Sequence, residues 1–148
     1  MFRLHHVAIT VPDLDAAIDW YTTVLGLRIS RREAETDVNP VAIGLPGEKV
    51  RLRGVELAIN GDRGPFLELH QFISPTGTAT RRVCDTGISH FALYTDDIHA
   101  EYRRLQGLAV TFNSPPQYIA EGGLAGDWWA YFKDPWGNQL HLVSHPAG

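Results

Sequence analysis

Cysteine is nearly absent: Cys84 stands alone in 148 residues, so an internal disulfide, a zinc ribbon or a paired-cysteine redox motif is excluded and the thiol reads as structural. Basic clusters are missing as well. Lys and Arg number 13 against 17 Asp and Glu, a net charge of −4 at neutral pH. They gather no further than pairs such as Arg31-Arg32 and Arg81-Arg82, which excludes the electrostatic footprint of a nucleic-acid binder. No run approaches the roughly 20 apolar residues of a membrane span, and Met1-Phe2-Arg3-Leu4-His5-His6 lacks the charged and apolar regions of a secretion signal. Neither nucleic acid nor membrane is expected as a partner, and the expected compartment is the cytoplasm. With 44% hydrophobic and 20% charged residues, the chain has the composition of a folded domain able to bury its own core.

What the sequence does have is an internal repeat. His6-Val7-Ala8-Ile9 with Asp13-Leu14 matches His90-Phe91-Ala92-Leu93 with Asp97-Ile98 at a constant offset of 84 positions (6 to 90, 8 to 92, 13 to 97). Each copy opens with strand-like alternation, and its Asp stands where a helix N-cap belongs. Leu14, Ala17, Ile18, Tyr21 and Leu25 then recur at helical spacing before Gly26, and Ile98, Tyr102 and Leu105 do so before Gly107, each glycine at a C-cap position.

Strand-like runs follow in both halves: 28–30, 50–59 and 65–72 in the first, 110–112, 128–132 and 139–143 in the second. Turns are expected at Asn60-Gly61-Asp62-Arg63-Gly64 and Asp134-Pro135-Trp136-Gly137-Asn138. The predicted fold is α+β: two tandem βαβββ modules, about residues 1–74 and 84–148, joined at Ser74-Pro75-Thr76-Gly77-Thr78 into a single domain spanning 1–148. Segments 33–47 and 114–126 read as long loops or lids, a length that compact domains rarely keep without a use.

Four polar residues occupy matched positions: His6 and His90 at the first strand of each half, Glu68 and His141 in the last. Alternation puts His6 on the face of Ala8, and His90 on that of Ala92, a face expected to point inward. Three imidazoles and one carboxylate are ordinary ligands of nickel, zinc, cobalt, manganese or iron. Glu68, flanked by Leu67 and Leu69, needs a cation if buried, because an unpaired buried carboxylate costs several kcal/mol. His70 shares the Glu68 strand face and reads as packing or as a neighbour of the site. His5 alternates away from His6, while His99 and His145 read as solvent-facing. Trp20, Tyr21 and Tyr102 read as core. Trp128, Trp129 and Tyr131 are candidate pocket walls, and Glu121 a candidate mobile acid.

His6-Val7-Ala8-Ile9, Leu67-Glu68-Leu69, His90-Phe91-Ala92-Leu93 and the Asp134-Pro135-Trp136-Gly137-Asn138 turn resemble the vicinal oxygen chelate superfamily of glyoxalase I, methylmalonyl-CoA epimerase, extradiol dioxygenases and bleomycin-resistance proteins. The resemblance covers nearly the whole chain. It implies paired βαβββ modules whose sheets curl round one divalent metal ion, with His6, Glu68, His90 and His141 as ligands. Position 141 departs from the pattern, since glyoxalase- and epimerase-like members generally carry Glu there. Glu68 and His141 are then the candidate catalytic residues. The resemblance implies first a metal-dependent lyase or isomerase that abstracts a proton from a small substrate with vicinal oxygens and stabilises an enediolate. Its alternatives are a ferrous extradiol-type dioxygenase and a metal-free small-molecule binding protein. It also implies a homodimer, in keeping with open sheet edges.

Overall fold

The computed structural model describes residues 1, 3–61, 64–78 and 84–145. Asp62 and Arg63 of the expected turn, and the Arg81-Arg82 pair, lie outside the described residues. The chain divides into two units, Met1–Ala79 and Thr80–Gly148. Each holds a four-stranded mixed sheet and one helix, so the α+β architecture of two modules is what the chain adopts.

Unit 1 runs β1 (His6–Thr10), α1 (Leu14–Thr23), β2 (Arg28–Val38), β3 (Val50–Ala58) and β4 (Phe66–Ser74), with sheet order β1-β4-β3-β2. β1 lies parallel to β4, and the other pairs are antiparallel. Asp13 caps α1 by accepting a bond from the Ala16 amide at 3.1 Å. Gly26, at φ 71°, supplies the left-handed turn that follows the helix. Leu14, Ala17, Ile18 and Tyr21 form the buried stripe of α1, and the helix lies against β3 and β4, where Val55, Leu57, Leu67 and Leu69 are buried. Gln71 fixes which face this is: its side chain accepts from the Leu14 amide at 3.1 Å and donates to the Pro12 carbonyl at 2.8 Å. Because strand side chains alternate, Phe66, Glu68, His70 and Phe72 project from the opposite, helix-free face.

Unit 2 runs β5 (Phe91–Tyr94), α2 (Ile98–Gly107), β6 (Gln117–Tyr118), β7 (Trp128–Lys133) and β8 (Gln139–Ser144), ordered β5-β8-β7-β6. Asp97 caps α2 through the Ala100 amide at 2.9 Å. Ile98 and Leu105 are buried on the helix, which lies against β7 and β8, where Ala130, Phe132, Leu140 and Leu142 are buried. The Asp134 carboxylate organises the β7–β8 turn, accepting from the Trp136 amide at 3.0 Å and from the Asn138 amide and side chain at 2.7 Å each. The two registers agree: Ala8 lies opposite Glu68 in unit 1, and Ala92 opposite His141 in unit 2. The sequence match of Glu68 with His141 is therefore a matched place in both sheets.

Three local expectations are corrected. β2 continues to Val38, so 33–38 is strand and not loop. Its residues are almost all exposed, and it is held to β3 by ion pairs such as Arg51 with Asp37 at 3.0 Å and Arg51 with Glu35, leaving no hydrophobic period to read. The expected strand at 110–112 reduces to one bridge, Phe112 to Phe132. The chain rejoins β7 only at Gln117–Tyr118, after Pro115 and Pro116, which lack amide donors. Gly107 is the last residue of α2, and the left-handed position is taken by Ala109, at φ 61°.

Candidate functional site

The helix-free face of unit 1 gathers a carboxylate and two imidazoles. Glu68 Oε2 lies 3.6 Å from His6 Nε2 and 3.3 Å from His70 Nε2. The Glu68 side chain is 12% exposed, against 42% for His6 and 22% for His70, so the acid sits deepest. Burial of an ionised carboxylate is costly without a cation or hydrogen-bond donors, and imidazole supplies either. Phe66 and Glu56 on this face are buried, whereas at β1 it is open: His6, Ala8 and Thr10 are exposed, which corrects the expectation that His6 points inward. The reason is that α1 covers the other side. His5 is exposed as expected, yet its Nδ1 lies 2.9 Å from that of His6. β1 begins at His6, so strand alternation does not govern His5.

Two further carboxylates on this face were not read as site residues from the sequence. Glu33, which fell in a segment read as loop, joins Glu68 and His70 in a group whose donor atoms all lie within 4.8 Å of one another, a set that could hold a metal ion. Glu56, opposite Glu68 in the register, is buried and accepts from Ser30 Oγ at 3.2 Å and Arg31 Nη2 at 3.4 Å. Glu56 had a signal in principle, since its parity within β3 puts it on the Glu68 face once the register is known. Glu33 had none, because the strand carrying it shows no alternation.

Unit 2 gathers its own pair. His90, just before β5, is held at both ring nitrogens: Nδ1 by Ser89 Oγ at 2.8 Å and Nε2 by Tyr131 Oη at 3.3 Å. His141 stacks on Tyr131 with centroids 4.5 Å apart and planes 22° apart, and its ring centre is 5.4 Å from that of His90. Trp129, on the same strand face as Tyr131, lies 6.2 Å from His141. Trp128 points the other way and meets His99 and Tyr118 at 4.5 and 5.2 Å. Of the three candidate pocket walls, Trp129 and Tyr131 stand beside the histidines and Trp128 does not. His145 is exposed, as expected, and is paired with Asp127 at 2.9 Å.

His141 Nε2 is buried with no hydrogen-bond partner. Burial, and secondarily the neighbouring His90, lowers the pKa of His141 and favours its neutral form. A neutral imidazole with a buried, unsatisfied nitrogen suits a metal ligand or a proton acceptor. The structure thus brings His6 together with Glu68, and His90 together with His141, each pair on the helix-free face of its own unit. The donor chemistry of both pairs fits a divalent ion.

A sequence model described as Glyoxalase/Bleomycin resistance protein/Dioxygenase superfamily matches residues 3–142. The chain is 37% identical over 152 aligned positions to a 2-epi-5-epi-valiolone epimerase from Actinomyces sp, covering 98% of this chain and 80% of that protein. It is 35% identical to an ethylmalonyl-CoA/methylmalonyl-CoA epimerase of Cereibacter sphaeroides, covering 81% and 82% of the two chains. A glyoxalase family protein from Bacillus cereus superposes with a TM-score of 0.77 at 19% identity over 97% of this chain and 94% of that one, a likeness of fold. Relatives named as epimerases support an isomerase-type enzyme with a small-molecule substrate. Among the described residues, no helix is long and apolar enough to cross a membrane.

Proposed function

The chain belongs to the Glyoxalase/Bleomycin resistance protein/Dioxygenase superfamily, and from that premise we propose that it is a divalent-metal-dependent epimerase, inverting a carbon adjacent to a carbonyl in a small oxygenated substrate. His6, Glu68, His90 and His141 are the residues assigned to hold the ion. The observation that carries the ion-dependent reading is the buried Nε2 of His141, which has no hydrogen-bond partner among the described residues to offset its desolvation. The chemistry such an ion supplies is Lewis-acid polarisation of the substrate carbonyl, which makes the neighbouring C–H acidic.

Inversion requires a proton to leave one face of the carbon and a proton to return to the other, so two proton-handling groups are required. Glu68 and His141 are the two assigned. Glu68 is the acceptor because it is the carboxylate lying between two imidazoles, His6 and His70, which hold it in place. His141 is kept neutral by burial and by His90, so it is the base in the reverse direction; in the forward direction, as Glu68 takes the proton from one face, His141 protonated from solvent returns one to the other. Tyr131, stacked on His141 and in contact with His90, fixes both rings. The relative with the higher identity and near-complete coverage is named for 2-epi-5-epi-valiolone, which favours that substrate type over an acyl-CoA.

The experiment is deuterium exchange in D2O, followed by NMR, with 2-epi-5-epi-valiolone and methylmalonyl-CoA offered separately to protein loaded with nickel, zinc, cobalt, manganese or iron. Exchange and epimer formation on one of them are expected, lost in chelator and in E68Q. No exchange on either substrate with any of the five ions overturns the reading.

A further inference from the structure

Unit 1 carries a donor group that the four assigned ligands do not account for. Glu33 from β2 meets Glu68 and His70 from β4, with donor atoms within 4.8 Å of one another, although β3 runs between those strands. Strands two apart in a sheet are separated by roughly 10 Å, so the side chains have to meet over the middle strand. The residue they cross is Gly54, which the register places opposite Glu33 on one side and His70 on the other. A Cβ there would stand 2.9 Å from His70 Cδ2, 3.2 Å from the Leu69 carbonyl and 3.4 Å from Glu33 Oε2. The convergence exists because position 54 is bare, in a strand interior where glycine is disfavoured by roughly 0.5–1 kcal/mol relative to alanine.

Two carboxylates this close repel, and one imidazole offsets them only in part. Arg31, 3.5 Å away at Glu33 Oε1 and more than half exposed, is divided between Glu33 and Glu56. Glu33 Oε2 borders the gap at Gly54. We propose that Glu33, Glu68 and His70 form a divalent-cation site contained wholly in unit 1, admitted by Gly54 and able to hold an ion without His90 or His141. Two oxygens and one nitrogen suit manganese, ferrous iron, cobalt or zinc. The site shares Glu68 with the proposed catalytic set and rests on the reading that this chain binds such ions.

The test uses the full chain as H90A/H141A, titrated with Co(II) by calorimetry and followed by the visible spectrum of the bound ion. One Co(II) per chain is expected, with affinity falling at least tenfold when E33Q or G54A is added; G54A removes no donor and acts by filling the gap, where its Cβ crowds the His70 ring and the Leu69 carbonyl. No Co(II) bound to H90A/H141A, or binding indifferent to both E33Q and G54A, overturns the proposal. Should H90A/H141A fail to fold by circular dichroism, E33Q and G54A in the otherwise unaltered chain decide: each is expected to remove one equivalent or weaken binding tenfold, and unchanged stoichiometry and affinity is a refutation. Turnover distinguishes the two readings. Full epimerase activity in H90A/H141A sinks the four-ligand assignment and leaves this site standing, whereas an inactive variant that binds no Co(II) sinks this site alone.

Discussion

Replacing His141 with Phe separates what this residue does for function from what it costs the fold. Its Nε2 is buried without a partner, and an unsatisfied buried polar group costs about 1–3 kcal/mol. Phe keeps an aromatic ring against Tyr131, where the stacked centroids are 4.5 Å apart, and removes the unsatisfied atom. Its larger ring returns part of the gain as crowding among Trp129, Tyr131 and His90, so the net expectation is a stabilisation of about 0.5–2 kcal/mol. For a chain of this size that is roughly 2–6 °C in Tm. The assay is thermal unfolding by circular dichroism at pH 7.5 in EDTA, H141F against the unaltered chain, with epimerase activity measured after metal loading. H141F is expected to melt higher in EDTA and to be inactive when loaded. A lower Tm in EDTA refutes the reasoning, because it means that the nitrogen is satisfied in the ion-free protein and is not held in reserve for a ligand.

The lowered pKa of His141 sets a pH dependence in the ion-free protein. The unfolded chain takes up this proton near pH 6.5 and the folded chain only below that. Its contribution is thus intact above about pH 6.5 and is lost as pH falls through the lowered folded value; urea midpoints at pH 7.5 and 5.5 should drop less for H141F than for the unaltered chain, and an equal drop contradicts the assignment. Asp134→Ala removes an acceptor of three hydrogen bonds in the β7–β8 turn and should cost about 2–4 kcal/mol in urea unfolding; a change under about 0.5 kcal/mol rules out an organising role. Ala109→Gly relieves a left-handed non-glycine position at φ 61°, which costs about 1–2 kcal/mol, offset in part by the entropy of glycine. A gain of about 0.5–1 kcal/mol is expected by the same assay, and a loss disproves the strain.

The sequence by itself determined the elements whose signals are local. Both helices were legible in the Asp13 and Asp97 caps and in the apolar spacing of Leu14, Ala17, Ile18 and Tyr21, because a helix buries one stripe and its amide ends need acceptors nearby in the chain. The repeat made Glu68 and His141 equivalent before their registers were known, since the same local pattern in two copies pairs the same way in two sheets. Only the tertiary structure decided what lies across a strand. β2 is an edge strand held by ion pairs to β3, so its length left no trace in hydrophobic period, and Glu33 reaches Glu68 and His70 only over the bare Gly54. The burial of His141 Nε2 likewise depends on Tyr131 and Trp129 from a neighbouring strand. Hydrogen-bonded register and side-chain volume set these meetings between residues distant in the chain, and no local periodicity encodes them.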